Sequence, residues 1–165
     1  MPVAVSTKRF QFLPYLISLL IVLAIGFVAS LVTRPEIAGW YNTLKKPPFN
    51  PPSWLFAPVW TVIYIMIATS AYLVWKQRSR KPAYIIARSV YSIQLTLNFS
   101  WSIIFFGMHQ IAAAMIVIIL LWISIMINTN WFNKFSRTAA WLLVPYLLWV
   151  SFASVLNVSI YFLNR

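Results

Sequence analysis

Long, almost uncharged apolar runs constrain this chain more than any other feature of its sequence. Five such runs, each of about 20 residues or more, are separated by polar connections, and Arg88 near the start of the third is the one charge within them. A helix rises ~1.5 Å per residue, so runs of this length can cross a hydrocarbon core of ~30 Å. Strands of a membrane barrel would alternate with a period of two, which these runs lack. The pattern therefore predicts an all-α integral membrane protein, a bundle of five transmembrane helices.

The limits of the five helices follow from the ends of the apolar runs. The predicted helices cover residues 13–32, 54–75, 83–106, 111–132 and 138–163, within a single membrane domain of residues 1–165. The first run follows Lys8 and Arg9, as the apolar part of a signal peptide would. It is longer than the roughly 7 to 15 apolar residues of a signal peptide, and it is therefore interpreted as a membrane helix.

The ionisable residues exclude most enzyme chemistry. The sequence contains one acidic side chain, Glu36, one histidine, His109, and no cysteine. Paired carboxylates, cysteine nucleophiles and clustered metal ligands therefore have no candidates, and no metal or cofactor is expected. The net charge of +12 would suggest nucleic acid in a soluble chain. Here the cations lie between apolar runs, where they meet lipid headgroups, so the expected partner is the bilayer and not nucleic acid.

Cations in the connections predict the orientation, because the side richer in Lys and Arg faces the cytoplasm. The richer side has eight cations: Lys8, Arg9, Lys76, Arg78, Arg80, Lys81, Lys134 and Arg137. The other side has four: Arg34, Lys45, Lys46 and Arg165. The N-terminus is therefore predicted to be cytoplasmic. Arg88 lies near the start of the third helix, where it is either a side chain that snorkels to the headgroups or a buried functional charge.

The connection of residues 33–53 has a composition of its own. It holds five of the ten prolines together with two neighbouring aromatic residues. The prolines of KKPPFNPPSW fix φ near −65° and favour a stiff, extended segment. The segment is either a spacer or a lid over the mouth of the bundle, since its aromatic rings are unfavourable in water. The candidate lid residues are Trp40, Tyr41, Lys45 and Lys46.

Aromatic and amide side chains share one stripe on each of three helices. The stripe of the third helix consists of Tyr91, Gln94, Asn98, Trp101 and Phe105. The stripe of the fifth helix consists of Tyr146, Trp149, Ala153 and Asn157, and the second helix has Trp60 and Tyr64. Amides within hydrocarbon need partners, so the stripes should face inward. They either hold the helices together or line a pocket for a large, flat, mostly apolar ligand.

The opposite face of the third helix carries small hydroxyl side chains. Ser92, Thr96 and Ser100 recur at intervals of four residues. Small side chains at this spacing let two helices approach closely, either within the bundle or between two copies of the chain. Because the aromatic stripe occupies the other face, the prediction is a symmetric homodimer that uses this strip.

Three long motifs resemble the TspO/MBR family, the tryptophan-rich sensory proteins related to the mitochondrial translocator protein. They are WYNTLKKPPFNPPSWLFAPVWTVIY at residues 40–64, QLTLNFSWSIIFFG at residues 94–107 and PYLLWVSFASVLN at residues 145–157. The three motifs occur in order along the predicted helices, and the resemblance runs through most of the chain. Many relatives have a tryptophan where Phe99 stands and a basic residue where His109 stands, and these departures leave the preferred ligand open.

The resemblance implies a usually dimeric five-helix bundle in a bacterial inner membrane, with a pocket closed by the first long loop. The implied ligands are porphyrins or haem-type tetrapyrroles, and also sterol-like or benzodiazepine-type molecules. The ligand-binding residues expected from the motifs and the stripes are Trp60, Tyr64, Asn98, Trp101, Tyr146, Trp149 and Ala153. A loose cholesterol-contact pattern at Leu156, Tyr161 and Arg165 carries little weight.

Two classes of function follow from the resemblance. A receptor or transport protein would sense, sequester or move the tetrapyrrole without changing it. A catalyst would use the electron-rich rings of Trp60 and Trp149 to support light-dependent oxidative breakdown of the porphyrin. The lack of a candidate acid, base or metal ligand favours the first class.

Overall fold

The chain folds into helices alone throughout the part that the structure, a computed structural model, describes, which is residues 9–165. The helices are α1 Phe12–Ala38, α2 Trp40–Thr43, α3 Phe56–Trp75, α4 Pro82–Ser102, α5 Ile111–Asn133, α6 Arg137–Leu142 and α7 Val144–Leu163. A short 3-10 turn, Ser53–Leu55, precedes α3, and a π-helical turn, Ile103–Gly107, follows α4. Lys8, one of the eight cations counted for the predicted orientation, lies outside the described residues.

The long helices form a closed ring around a hydrophobic core. Going round the ring, α1 packs on α3, α3 on α6 and α7, these two on α5, α5 on α4, and α4 again on α1. Each long helix thus has a neighbour on both sides, and the buried side chains of all of them meet in the centre. The inward stripes of α3, α4 and α7 therefore share one interior.

Hydrogen bonds between loops show which connections share an end of the bundle. The Gln77 side chain donates to the Phe135 carbonyl, which joins the two basic connections, residues 76–81 and 134–136. This end is termed the basic end. At the other end, the Asn164 side chain accepts from the backbone N–H of Lys45 at 2.9 Å and donates to its carbonyl, also at 2.9 Å. This second end, which holds the predicted lid, is termed the lid end.

The outer surface of the ring is suited to hydrocarbon. Large apolar side chains such as Leu20 and Phe27 on α1 are 58% and 64% exposed, and a soluble monomer rarely carries such a continuous apolar surface. Four helical segments are long and apolar enough to cross a membrane. They are Phe12–Thr43, Ser53–Trp75, Ile111–Asn133 and Arg137–Leu163. The chain is therefore a multi-pass membrane protein.

The helix α4 does not reach the apolarity of those four segments, although the sequence predicts a span there. It is 21 residues long, and its amides and hydroxyl side chains reduce its apolar character. Gln94 and Asn98 are only 0% and 1% exposed. The two amides of α4 thus turn into the bundle, as the stripe predicted, while Arg88 and the hydroxyls of Ser92 and Thr96 lie on its surface.

The first helix runs farther than predicted, which corrects the limits of the long connection. The sequence prediction ended the helix at residue 32, but α1 continues to Ala38 with Pro35 inside it. A proline within a helix removes one backbone hydrogen bond without always ending the helix. The break falls at Gly39, whose N–H bonds the Pro35 carbonyl at 2.9 Å. Residues 40–43 are also helical, so much of the predicted loop is not extended.

Two other predicted helices are interrupted. The third continues to Gly107, but its last five residues form the π-helical turn. The fifth is divided at Leu143 into α6 and α7. Pro145 explains the division, because it has no N–H to bond the carbonyl of Trp141 four residues earlier.

The helices α1 and α3 approach closely at Gly26. A β-carbon at this position would overlap the ring of Tyr64. Because glycine has no side chain, the Tyr64 ring packs directly against the backbone of α1. This contact fixes the tyrosine that continues the hydrogen-bond chain described below.

Candidate functional site

A small cavity lies under the lid segment, between α3, the π-helical turn and α7. It is lined by Tyr41, Phe56, Trp60, Trp101, Phe105, Phe106, Trp149, Ala153, Leu156, Asn157 and Ile160. This space, termed the lid cavity, encloses about 20 Å³, which is enough for one water molecule. Its wall is almost entirely aromatic and aliphatic, with the Asn157 amide as the clearest polar group.

Four of the seven residues predicted to bind ligand line the lid cavity. They are Trp60, Trp101, Trp149 and Ala153. The inward stripes of α3, α4 and α7 therefore do meet in one place. The other three, Tyr64, Asn98 and Tyr146, are not part of the wall.

Those three residues form a buried hydrogen-bond chain instead. The Tyr64 hydroxyl donates to Asn98 Oδ1 at 3.1 Å, and Asn98 Nδ2 donates to the Tyr146 hydroxyl at 3.0 Å. The chain links α3, α4 and α7 and satisfies the Asn98 amide. The Trp60 ring stacks on Tyr64, with centroids 5.3 Å apart, and lies edge-on to Tyr146 at 6.3 Å. The chain thus supports the position of the Trp60 ring in the wall of the cavity.

A second amide holds Trp101. Trp101 Nε1 donates to Asn157 Oδ1 at 3.2 Å, and Asn157 Nδ2 donates to the Ile111 carbonyl at 3.1 Å. Asn157 therefore joins α4, α5 and α7, and it also lies in the wall of the cavity. The side-chain hydrogen-bonding groups of Trp101 and Asn157 are therefore engaged.

The indole of Trp149 is different, because its Nε1 is buried and has no hydrogen-bond partner among the described residues. Its ring packs edge-on against Phe56, with centroids 6.2 Å apart, and lies 5.6 Å from Phe152. A buried donor without a partner is unfavourable by about 1–3 kcal/mol. A bound molecule with an acceptor atom at this wall would remove that penalty.

Among the predicted lid residues, Tyr41 alone contributes to the wall of the lid cavity. It is 2% exposed, and its hydroxyl donates to Asn50 Oδ1 at 2.6 Å within the proline-rich segment. The Lys46 ammonium lies 4.9 Å from the centroid of the Tyr41 ring. The Tyr41 ring therefore lies buried in the cavity wall, while its hydroxyl is bonded within the proline-rich segment.

The remaining predicted lid residues attach the segment at two sides. The Trp40 ring stacks on His109, with centroids 4.2 Å apart and 14° between planes. His109 Nε2 lies 2.8 Å from Glu36 Oε2, so the sole acidic side chain joins the end of α1 to the loop before α5. On the opposite side, the backbone of Lys45 is held by Asn164.

Some wall residues were missing from the predicted site. Phe56 lies one helical turn before Trp60, and Leu156 and Ile160 continue the α7 stripe, so helical spacing alone would have found these three. Phe106 had no such signal. The π-helical turn adds a residue to the helix repeat and brings Phe105 and Phe106, which are neighbours in sequence, to the same wall.

The small-residue strip lies away from the lid cavity. Ser92 and Thr96 are exposed, Ser100 is half-buried, and the first two flank a shallow groove between α4 and α1. Their hydroxyls donate to carbonyls one turn back, at 3.1 and 3.0 Å. Both donors are thus satisfied within α4, and the two side chains lie at the outer surface of the bundle beside this groove.

The helical ring, its apolar outer surface and its aromatic interior define a multi-pass helical membrane protein. A sequence model of the TspO/MBR family matches residues 18–163. The chain is 45% identical to the tryptophan-rich protein TspO of Chlorobaculum tepidum, over 86% of this chain and 90% of the relative. It is 41% identical to TspO of Archaeoglobus fulgidus, over 89% of this chain and 94% of the relative. It is 35% identical to the translocator protein of Homo sapiens, over 82% of this chain and 80% of the relative.

The chain therefore belongs to the TspO/MBR family. The resemblance carried by the three motifs is confirmed, and the match includes all three of them.

Proposed function

We propose that the chain is a receptor or transport protein that binds porphyrin or haem-type tetrapyrroles in the lid cavity. Three tryptophans, a tyrosine and three phenylalanines surround one space there, with few polar groups among them. Flat apolar ligands are held by such walls through stacked and edge-on ring contacts. The observation that carries the proposal is the unpaired Trp149 Nε1 in this wall, because a pyrrole nitrogen or a carboxylate could accept its hydrogen bond.

Ligand entry requires the lid cavity to open. Its volume is about 20 Å³ in the closed structure, whereas sites for ligands of this class measure roughly 300–1,000 Å³. The lid is the element proposed to move. It is attached at its sides by the Glu36–His109–Trp40 group and the Lys45–Asn164 contact, and Tyr41 packs on the phenylalanines of the cavity wall. Displacement of Tyr41 would remove one wall of the cavity. Lys45 and Lys46 would then lie near the propionates of a bound porphyrin.

The direct test of this function is a titration of the purified protein with protoporphyrin, followed by quenching of tryptophan fluorescence. Saturable quenching with one porphyrin per chain is the expected result, because a single enclosed site is proposed. Quenching that rises in proportion to added porphyrin, without saturation, would indicate partition into the detergent or lipid and would contradict the proposal.

We also propose that α4 crosses the membrane as a fifth span of a single domain, and that the basic end faces the cytoplasm. Helix α4 packs between α5 and α1, which both satisfy the membrane criteria. The described cations of the basic end outnumber those of the lid end, which supports this orientation under the positive-inside rule. The expected location is the bacterial inner membrane.

Single cysteines test this topology, since the chain has no cysteine of its own. We expect Asn42→Cys at the lid end to react with an impermeant thiol reagent in intact cells, and Ser79→Cys at the basic end to react only after the cells are opened. Both positions are exposed, so neither is protected by folding. The reverse pattern of labelling would invert the orientation, and equal labelling of the two positions in intact cells would contradict the membrane crossing of α3, which lies between them.

A homodimer through the strip of Ser92, Thr96 and Ser100 is the proposed assembly. Leucine at Thr96 or Ser100 should hold two copies of α4 apart, because close helix approach in membranes depends on small side chains. We expect Thr96→Leu to lower the dimer fraction severalfold in cross-linking and light scattering. The matched control is Thr61→Leu, an exposed threonine on α3 whose hydroxyl also bonds a carbonyl one turn back. Equal loss of dimer in both variants, or in neither, would place the interface elsewhere.

A further inference from the structure

A hollow much larger than the lid cavity lies on the outside of the bundle, at the basic end between α1, α3 and α4. Its volume is about 420 Å³, which is within the ~300–1,000 Å³ range of small-molecule sites. Its walls include Ile17 and Ile21 of α1, Ala71 and Trp75 of α3, and Tyr84 of α4. Because Ile17 and Ile21 are 48% and 54% exposed, the hollow is open to the hydrocarbon. It is termed the basic-end groove.

Arg88 contributes a positive charge to this groove. Its side chain is exposed and points out from α4, about two turns inside the start of that helix. The sequence has one acidic side chain in all. That residue, Glu36, is at the lid end and bonds His109. No acidic side chain of the chain is therefore available to neutralise Arg88, and a cation at a membrane boundary is stabilised by an anion.

Two further cations lie against aromatic rings of the groove wall. Arg78 lies over the Trp75 ring, 3.9 Å from its centroid, and Lys76 lies 5.9 Å from the centroid of the Tyr72 ring. Both rings belong to the groove wall, so the two cations are held beside it. The groove thus combines an apolar channel open to lipid with a cationic rim, which is the arrangement that an amphiphile with an anionic head requires.

We propose that the basic-end groove binds one anionic phospholipid, with its phosphate at Arg88 and an acyl chain along the apolar wall between α1 and α3. A phospholipid is the occupant that the surroundings favour, because the groove opens sideways into the bilayer. This site is separate from the lid cavity, since the two spaces have no wall residue in common. Its test is therefore independent of porphyrin binding.

The test uses the full-length protein in nanodiscs that contain equal amounts of phosphatidylglycerol and phosphatidylcholine with the same acyl chains. After mild extraction, native mass spectrometry counts the lipids that stay bound to each chain. We expect one retained lipid, enriched in phosphatidylglycerol. Arg88→Gln should lower the ratio of bound phosphatidylglycerol to phosphatidylcholine by roughly fivefold, as expected for one cation near a charged surface. Arg80→Gln, an exposed cation of the adjacent loop, is the matched control and should leave the ratio nearly unchanged.

A second variant tests the contribution of the apolar wall separately from that of the Arg88 charge. Ala71→Phe places a ring in the apolar wall and should reduce retention of both lipids, while an unchanged far-ultraviolet circular dichroism spectrum shows that the helical fold is preserved. Equal losses in Arg88→Gln and Arg80→Gln would mean that lipid is held by overall charge, which overturns the proposal. The proposal is also overturned if the lipid is released only when a dimer dissociates. The lipid would then lie between two copies of the chain that meet near Ser92, a residue that borders the groove.

Discussion

Replacement of Trp149 by alanine is expected to raise the dissociation constant for protoporphyrin by about tenfold or more, which corresponds to ~1.4 kcal/mol. Two losses combine in this variant. A stacked or edge-on ring contributes roughly 0.5–1.5 kcal/mol beyond its buried area, and the unpaired Nε1 donor is removed with it. Trp60→Ala should weaken binding by a similar factor, because Trp60 stands in the same wall. Both constants come from fluorescence titration of the purified variants.

Trp149→Phe divides the two contributions at this position. It keeps an aromatic ring and removes the indole N–H, so a ligand that accepts that hydrogen bond should lose about fivefold in affinity, for a bond of ~1 kcal/mol. Trp141→Ala is the control, since Trp141 is 61% exposed on α6 and is not in the cavity wall. Equal effects of Trp60→Ala, Trp149→Ala and Trp141→Ala would mean that porphyrin binds to the outer surface, and the lid cavity would be the wrong site.

The sequence predicts the helices well because a membrane span has a simple physical signature. Residues 111–132 were predicted as one helix, and α5 covers Ile111–Asn133. The apolar run that must match the hydrocarbon thickness sets both ends. The end of α1 was not predictable in this way, because Pro35 is compatible with either a stop or a continued helix. The packing of the following turn on the bundle decides between the two, and Tyr41 is already buried there.

The lining of the candidate site could be predicted where helical periodicity carries the information. Trp60, Trp101 and Trp149 were each assigned to an inward face by spacing, and all three line the lid cavity. Helical spacing shows which side chains face the interior but not which of them border the cavity. Tyr64 and Asn98 were therefore expected in the wall, but they lie in the hydrogen-bond chain beside it. Spacing also cannot anticipate a change of helix repeat, such as the π-helical turn that brings Phe106 inward.

The partners of buried amides are a further property that the sequence leaves undetermined. Asn98 is satisfied by two tyrosines, whereas Gln94 and Asn128 are buried without a partner among the described residues. All three are polar residues on an inward face. Only the three-dimensional arrangement of the neighbouring side chains distinguishes an amide that joins helices from one that does not.

Locking the lid is expected to prevent porphyrin binding without changing any residue of the cavity wall. The double variant Lys45→Cys with Asn164→Cys places two thiols where the lid backbone meets the end of α7, and the chain has no other cysteine to compete. A short bismaleimide should then join the two positions. We expect the cross-linked protein to show at least a tenfold slower rate of fluorescence quenching by protoporphyrin, because a volume of about 20 Å³ cannot admit the ligand while Tyr41 stays in place.

The same double variant treated with a monofunctional maleimide is the control, since it carries both modifications and no bridge. It should bind porphyrin at a rate at least equal to the unmodified protein, because the Lys45–Asn164 contact that holds the closed lid is lost. The two samples differ only in whether the lid can move, so the difference between their quenching rates reports on ligand entry and not on the affinity of the cavity wall for porphyrin. If the bridged protein binds as fast as the control, the ligand reaches the tryptophans between the helices from the bilayer, and the lid is a structural cover with no part in entry.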